Sequence, residues 1–143
     1  MLSDGVFRDW SVARWARRMK MDRRIQVRDG KLTVGAPGIY FIYAQTNYLD
    51  KLQFENVFSG ILLYFMILDS FQIMVNNSPW LMCTTMTHTP SPTTKANTCY
   101  TGGVRFLEQG DTILIKNTDT NRFAVMLPSH SFFGLVQMSE MGL

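Results

Sequence analysis

Residues 38–48 read Gly38-Ile39-Tyr40-Phe41-Ile42-Tyr43-Ala44-Gln45-Thr46-Asn47-Tyr48. Successive side chains of a strand point to opposite faces. Ile39, Phe41, Tyr43 and Gln45 therefore share one face, and Tyr40, Ile42, Ala44 and Thr46 share the other. Both faces are substantially apolar or aromatic, so this strand is expected at the centre of a sheet, covered on both sides.

Outward from this strand, short apolar runs alternate with turn formers. Upstream, Ile25 to Val27 and Lys31 to Val34 flank Asp29-Gly30, a strong hairpin signal, and Pro37-Gly38 breaks the chain before the central strand. Downstream, strands are expected at Phe71 to Val75, Trp80 to Cys83, Val104 to Leu107, Thr112 to Lys116, Phe123 to Leu127 and Phe132 to Met138. Between them stand Asn76-Asn77-Ser78-Pro79, the polar stretch Thr84 to Thr98, Glu108-Gln109-Gly110-Asp111 and Asn117 to Asn121. About eight or nine short strands in one domain give an all-β chain, a sandwich or jelly roll. Helical spacing occurs only near the N-terminus, where Val12, Trp15, Ala16 and Met19 fall at i, i+3, i+4 and i+7.

The 143 residues suit one domain. A hydrophobic fraction of 46% against 17% charged excludes global disorder. The net charge of +3 is uneven: Arg8, Arg14, Arg17, Arg18, Lys20, Arg23, Arg24 and Arg28 crowd the start, and the remainder is net acidic. That remainder has no Lys/Arg stripe interleaved with aromatics, so nucleic acid is not an expected partner. The two cysteines, Cys83 and Cys99, have no CxxC or Cys/His metal spacing. They are either a disulfide made outside the cell or two buried thiols.

Catalysis finds no footing. His88 and His130 sit in Thr/Pro-rich and Ser-flanked surroundings without an ordered nucleophile or a carboxylate pair. No phosphate-cradling glycine loop and no metal constellation is present, so no cofactor is expected. Asn76-Asn77-Ser78 is a formal glycosylation acceptor, followed directly by Pro79. Met1 is followed at once by polar and charged residues, so the chain reads as a piece of something longer.

Three blocks, in order, resemble one family. The first is Arg24-Ile25-Gln26-Val27-Arg28-Asp29-Gly30-Lys31-Leu32-Thr33-Val34 with Gly38-Ile39-Tyr40-Phe41-Ile42-Tyr43-Ala44-Gln45. The second is Asn97-Thr98-Cys99-Tyr100-Thr101-Gly102-Gly103-Val104 with Leu107-Glu108-Gln109-Gly110-Asp111, and the third is Ser131-Phe132-Phe133-Gly134-Leu135. Together they resemble the paired early strands, the strand before an "L-x-x-G-D" turn, and the closing strand of tumour necrosis factor ligands. The cysteine followed by Tyr-Thr-Gly-Gly is most similar to the ectodysplasin and B-cell-activating branch and to the insect ligand Eiger.

The resemblance implies a jelly roll that forms homotrimers and binds cysteine-rich TNF-receptor-family ectodomains to trigger cell-death, stress-kinase, immune or developmental signalling. It implies a disulfide between Cys83 and Cys99. It implies a three-fold axis lined by Tyr43, Tyr100 and Phe132, with Phe41 beside Tyr43, while Gly102 and Gly103 suit a closely approached strand. Receptor-binding candidates are Arg14, Arg17, Arg18, Arg23 and Arg24 in the basic stretch, and His88 and Lys95 in the polar loop. The domain is expected outside the cell, secreted or shed from a type II membrane protein, with any membrane attachment made through a segment absent from this chain.

Two departures accompany the resemblance. Nothing before Arg24 resembles the family's first strand, so residues 1–23 are expected as a basic N-terminal segment, residues 24–143 as the jelly roll, and the closing strand as an open edge. Residues 51–68 are expected as an apolar insertion, too short to span a bilayer, which needs about 20 residues. Within it, Phe58-Ser59-Gly60-Ile61-Leu62-Leu63-Tyr64 resembles the closing strand of C1q-like domains. The competing reading is accordingly a C1q-like or lectin-like module that binds matrix or carbohydrate.

Overall fold

The computed structural model describes residues 4–8, 10–14, 16, 25–49, 66–88, 96–118, 123–124 and 131–140. Among these lie nine strands: β1 (Ile25–Arg28), β2 (Lys31–Val34), β3 (Gly38–Leu49), β4 (Met66–Val75), β5 (Ser78–His88), β6 (Ala96–Leu107), β7 (Thr112–Asn117), β8 (Phe123–Ala124) and β9 (Phe132–Glu140). All pairings are antiparallel. One sheet runs β1-β2-β7-β4-β5; in the other, β3 pairs with β6 on one edge and with β8 and β9 on the other. The chain is a jelly-roll β-sandwich.

β3 is the central strand that its two-sided composition requires. Its whole length, from Gly38 opposite Leu107 to Leu49 opposite Ala96, pairs with β6. Its other edge is shared by β9, opposite residues 38–45, and β8, opposite residues 48–49. Tyr40, Ile42, Ala44 and Thr46 turn into the core, where they meet Leu32 and Val34 of β2, Phe71 and Ile73 of β4, and Ile113 and Ile115 of β7. Burying each large apolar side chain is worth about 1.5–3 kcal/mol, so the alternation in β2 and β3 fixes which face of each strand turns inward.

Two tight hairpins set the register. Asp29 and Gly30 have φ of 53° and 75°, and Asn76 and Asn77 have 50° and 64°. Positive φ at both central residues is the signature of the hairpin turn whose twist matches its flanking strands. Gly30 has a second reason to be glycine, because a Cβ there would collide with the Phe7 carbonyl oxygen.

Several expectations need correction. β4 begins at Met66, so residues 66–68 belong to a strand and not to an insertion; they pair with Met86, Thr87 and His88. The apolar run Met66-Ile67-Leu68 simply continues the strand through Asp69-Ser70 into Phe71, and the Thr-rich partner suits a strand as well as a loop. Residues 50–65, including the C1q-like stretch, lie outside the described residues. The polar loop expected at Thr84 to Thr98 is shorter, since Thr84 to His88 extend β5 and Ala96 to Thr98 begin β6.

The N-terminal segment is more than a basic extension. Val6 bridges Lys116, the Phe7 N–H donates to the Ile115 carbonyl at 3.1 Å, and the Asn117 N–H donates to the Gly5 carbonyl at 2.8 Å. Phe7 is buried in the core, and Trp10 packs edge-on against Phe7 (6.2 Å) and Phe133 (4.8 Å). At the place of the expected helix, Arg14 and Ala16 are helical and the Ala16 N–H donates to the Ala13 carbonyl at 3.0 Å, while residues 15 and 17–24 lie outside the described residues. Among the described strands β9 pairs only with β3.

Candidate functional site: an uncovered aromatic face

The outward side of the β6-β3-β9 sheet carries Ile39, Phe41, Tyr43 and Gln45 from β3. Register places Phe106, Val104, Gly102 and Tyr100 of β6 opposite them in that order. On the other flank Phe41 stands opposite Val136, Tyr43 opposite Gly134 and Gln45 opposite Phe132. Phe41, Tyr43, Tyr100 and Phe132, the residues expected at a common surface, are therefore brought together on one face.

Glycines shape this face. A Cβ on Gly134 would stand 2.6 Å from Tyr43 Oη, and one on Gly102 would stand 3.0 Å from Phe41 Cζ. The missing side chains let both rings lie down over the neighbouring strands. The rings then form a run: Phe41 stacks beside Tyr43 with centroids 5.9 Å apart, and Tyr43 meets Phe132 edge-on at 6.2 Å. Offset and edge-on contacts of this kind add about 0.5–1.5 kcal/mol each beyond burial.

Sequence reasoning named Tyr100 but missed Val104, Phe106, Val136 and Met138. Tyr100, Val104, Phe106, Val136 and Met138 are 52%, 54%, 43%, 53% and 60% exposed. An uncovered apolar patch of this extent marks an interaction surface. The signal was present as two-residue steps, from Tyr100 through Gly102 to Val104 and Phe106, and from Phe132 through Gly134 to Val136. Met138 could not be placed that way, because a bulge opposite Ile39 and Tyr40 leaves it as the extra residue.

A staple fixes the strand that bears Tyr100. Cys83 of β5 and Cys99 of β6 form a disulfide across the two sheets, with Cα atoms 6.0 Å apart. Cys99 is fully buried, and Tyr100, the next residue, points the opposite way into solvent.

Other expected site residues are dispersed. Arg14 is exposed on the N-terminal turn and His88 ends β5 opposite Met66, while Arg17, Arg18, Arg23, Arg24 and Lys95 lie outside the described residues. Asn76 is exposed but engaged: its Nδ2 donates to Asp111 Oδ1 at 3.0 Å, and its Oδ1 accepts from the Thr112 N–H at 3.0 Å. The Arg8 guanidinium, 2.6 Å from Asp4, holds that exposed carboxyl well below the usual carboxylate range. Among the described residues no group of His, Cys, Asp and Glu is arranged to hold a metal ion, and no helix is long and apolar enough to cross a membrane.

The described residues thus make a disulfide-stapled jelly roll with an uncovered aromatic face on one of its sheets. The chain belongs to the TNF (Tumour Necrosis Factor) family, whose pattern matches residues 10–138. It is 31% identical over 144 residues to ectodysplasin-A of Mus musculus and to that of Homo sapiens, covering 97% of this chain and 31% of each relative. The chain thus spans about a third of the length of these curated relatives. Its fold superimposes on Eiger TNF from S. frugiperda with a TM-score of 0.77 and 26% identity, over 96% of this chain and 82% of that one. A crystal structure of murine APRIL shares the fold, with a TM-score of 0.57 and 24% identity over 81% of this chain and 78% of that one. The chain carries a TNF-family ligand domain of the cytokine type.

Proposed function

We propose that this domain acts outside the cell as a homotrimer closed over Phe41, Tyr43, Tyr100 and Phe132, and that the trimer clusters a cysteine-rich TNF-receptor-family ectodomain to start signalling. The observation that carries the reading is the uncovered aromatic face, since a lone protomer in water would leave those rings and their apolar neighbours exposed. The disulfide supports the extracellular placement, because such bonds persist in oxidising compartments. Arg14, Arg17, Arg18, Arg23, Arg24, His88 and Lys95 remain the candidates for receptor contact, and no catalytic role is proposed for any residue.

Light scattering tests the assembly: the chain should report three protomers, and Tyr100→Asp should report one while keeping the circular dichroism of the fold. A Tyr100→Asp variant that still assembles would remove Tyr100 from the contact. Pull-down with soluble cysteine-rich receptor ectodomains tests the partner. Failure of every such ectodomain to bind the trimer would overturn the ligand reading.

A further inference from the structure

The core of the sandwich changes character from one end to the other. At the end where β6 turns into β7 it is apolar, with Leu32, Val34, Leu107 and Ile113 all buried. At the opposite end the buried side chains include Thr46, Asn117 and Ser131, at 0%, 2% and 5% exposure. Strand register gathers these polar groups into one layer around the disulfide. Thr46 stands opposite Cys99 in the β3–β6 pair, while in the other sheet Asn117 stands opposite Phe71 and Phe71 opposite Cys83. Ser131 directly precedes Phe132, which pairs with Gln45, and its Oγ accepts from the Asn47 N–H at 3.1 Å.

Buried polar groups in folded proteins are hydrogen-bonded with few exceptions. Among the described residues three buried side-chain atoms have no hydrogen-bond partner in the protein: Trp10 Nε1, Thr46 Oγ1 and Thr85 Oγ1. Two of the three belong to the polar layer. Thr85 lies two residues after Cys83 on β5 and shares its inward parity, and Thr46 is the cross-strand neighbour of Cys99, so the two hydroxyls flank the disulfide from opposite sheets. A hydroxyl carries one donor and two acceptor sites, and burying it dry and unpaired is costly. The layer is also built of short side chains. The inward residues of β3 are Tyr40 and Ile42 toward the apolar end, and Ala44 and Thr46 toward this one. A buried water typically makes about three hydrogen bonds to polar groups that the protein itself leaves unsatisfied, and it needs a polar, roomy setting of this kind.

We infer that this layer is a binding site for an internal water, held between the Thr46 and Thr85 hydroxyls beside the Cys83–Cys99 bond. Its ligand is a small neutral molecule that both donates and accepts, because the two groups assigned to it are uncharged hydroxyls with donor and acceptor sites to fill. The water joins β3 of one sheet to β5 of the other, at the level where the disulfide joins β5 to β6.

Thr46→Val and Thr85→Val test the site, since each keeps the branched shape and removes the hydroxyl. Oxygen-17 magnetic relaxation dispersion counts long-lived internal waters in the full chain, and thermal melting reads the sign of each change. Thr46→Val should lose a long-lived water that the unaltered chain holds, and its melting temperature should fall, because the water and Thr85 lose a shared partner. The double variant should melt close to Thr46→Val alone and not at the sum of two losses, since both hydroxyls act through one water. A dry, unpaired hydroxyl would behave oppositely, because valine relieves it. A higher melting temperature for Thr46→Val, or a water count that neither substitution changes, would therefore overturn the site. Thr85→Val, at a half-buried position on an edge strand, carries both readouts should Thr46→Val fail to fold.

Discussion

The phenol of Tyr43 on β3 lies across Gly134 of β9, so close that a Cβ on Gly134 would stand 2.6 Å from Oη and 2.9 Å from Cζ. The aromatic face is thus as much a property of its glycines as of its rings. Gly134→Ala should push a half-exposed ring outward and leave the core intact, so the melting temperature should move little while trimer signal in light scattering is lost. Gly102→Ala differs, because its Cβ also comes within 3.2 Å of the Ile42 carbonyl, which cannot swing away. It should lower stability as well, by about 1–3 kcal/mol in denaturant titration.

The Cys83–Cys99 bond closes a loop with a sequence separation of 16. Loss of that link in the double variant Cys83→Ala/Cys99→Ala should cost about 3 kcal/mol. Reductant should lower the melting temperature of the unaltered chain and leave that of the double variant where it was.

Phe7 is buried beside Ile115 although it lies far upstream of β1. Phe7→Ala should cost about 3–5 kcal/mol, the range for a buried phenylalanine. Arg14→Ala, at an exposed position, should stay within about 0.5 kcal/mol. Equal effects from the two would show that the N-terminal segment does not dock as described.

Asn76 ties the β4–β5 turn to the β6–β7 turn through Asp111 and Thr112. Asn76→Gly preserves the positive φ while removing the side-chain bonds, and should cost about 1–2 kcal/mol. Asn77→Gly should be neutral in the same denaturant series, since φ of 64° suits glycine.

Removing residues 51–65 should preserve the jelly-roll circular dichroism spectrum and raise solubility, because shortening the connection between two strands changes its closure entropy by only about 0.6 kcal/mol per halving. Extending the cut through Leu68 should lower the melting temperature by trimming β4 opposite Met86 to His88. Unfolding on the shorter deletion would mean that the segment is integral to the domain.

How much of this was legible in the sequence depended on period and on turn chemistry. Short apolar runs between turn formers placed a strand at some part of each of the nine among the described residues, and Asp29-Gly30 and Asn76-Asn77 announced their hairpins because few residues adopt left-handed backbone. Strand ends were harder: Thr84 to His88 looks polar enough for a loop, but β-branched residues on an edge strand are equally at home. Val6 and Phe7 were invisible because a two-residue pairing with β7 has no periodicity to read. On the face, Phe41, Tyr43, Tyr100 and Phe132 came from motifs, while Val104, Phe106 and Val136 needed the two-residue steps along β6 and β9 to be followed onward from Tyr100 and Phe132.

The central position of β3 also governs when the molecule can be completed. Its partners β6 and β9 lie far downstream, and β9 ends at Glu140. During synthesis the β4–β5 hairpin has its partner at hand, whereas Tyr40, Phe41, Ile42 and Tyr43 wait on strands that emerge much later. Such long-range pairing is slow and leaves apolar surface open to misassociation. A ribosome stalled before Ser131 would hold a chain whose second sheet lacks one flank, so nascent-chain protection from protease should rise steeply only after β9 clears the exit tunnel.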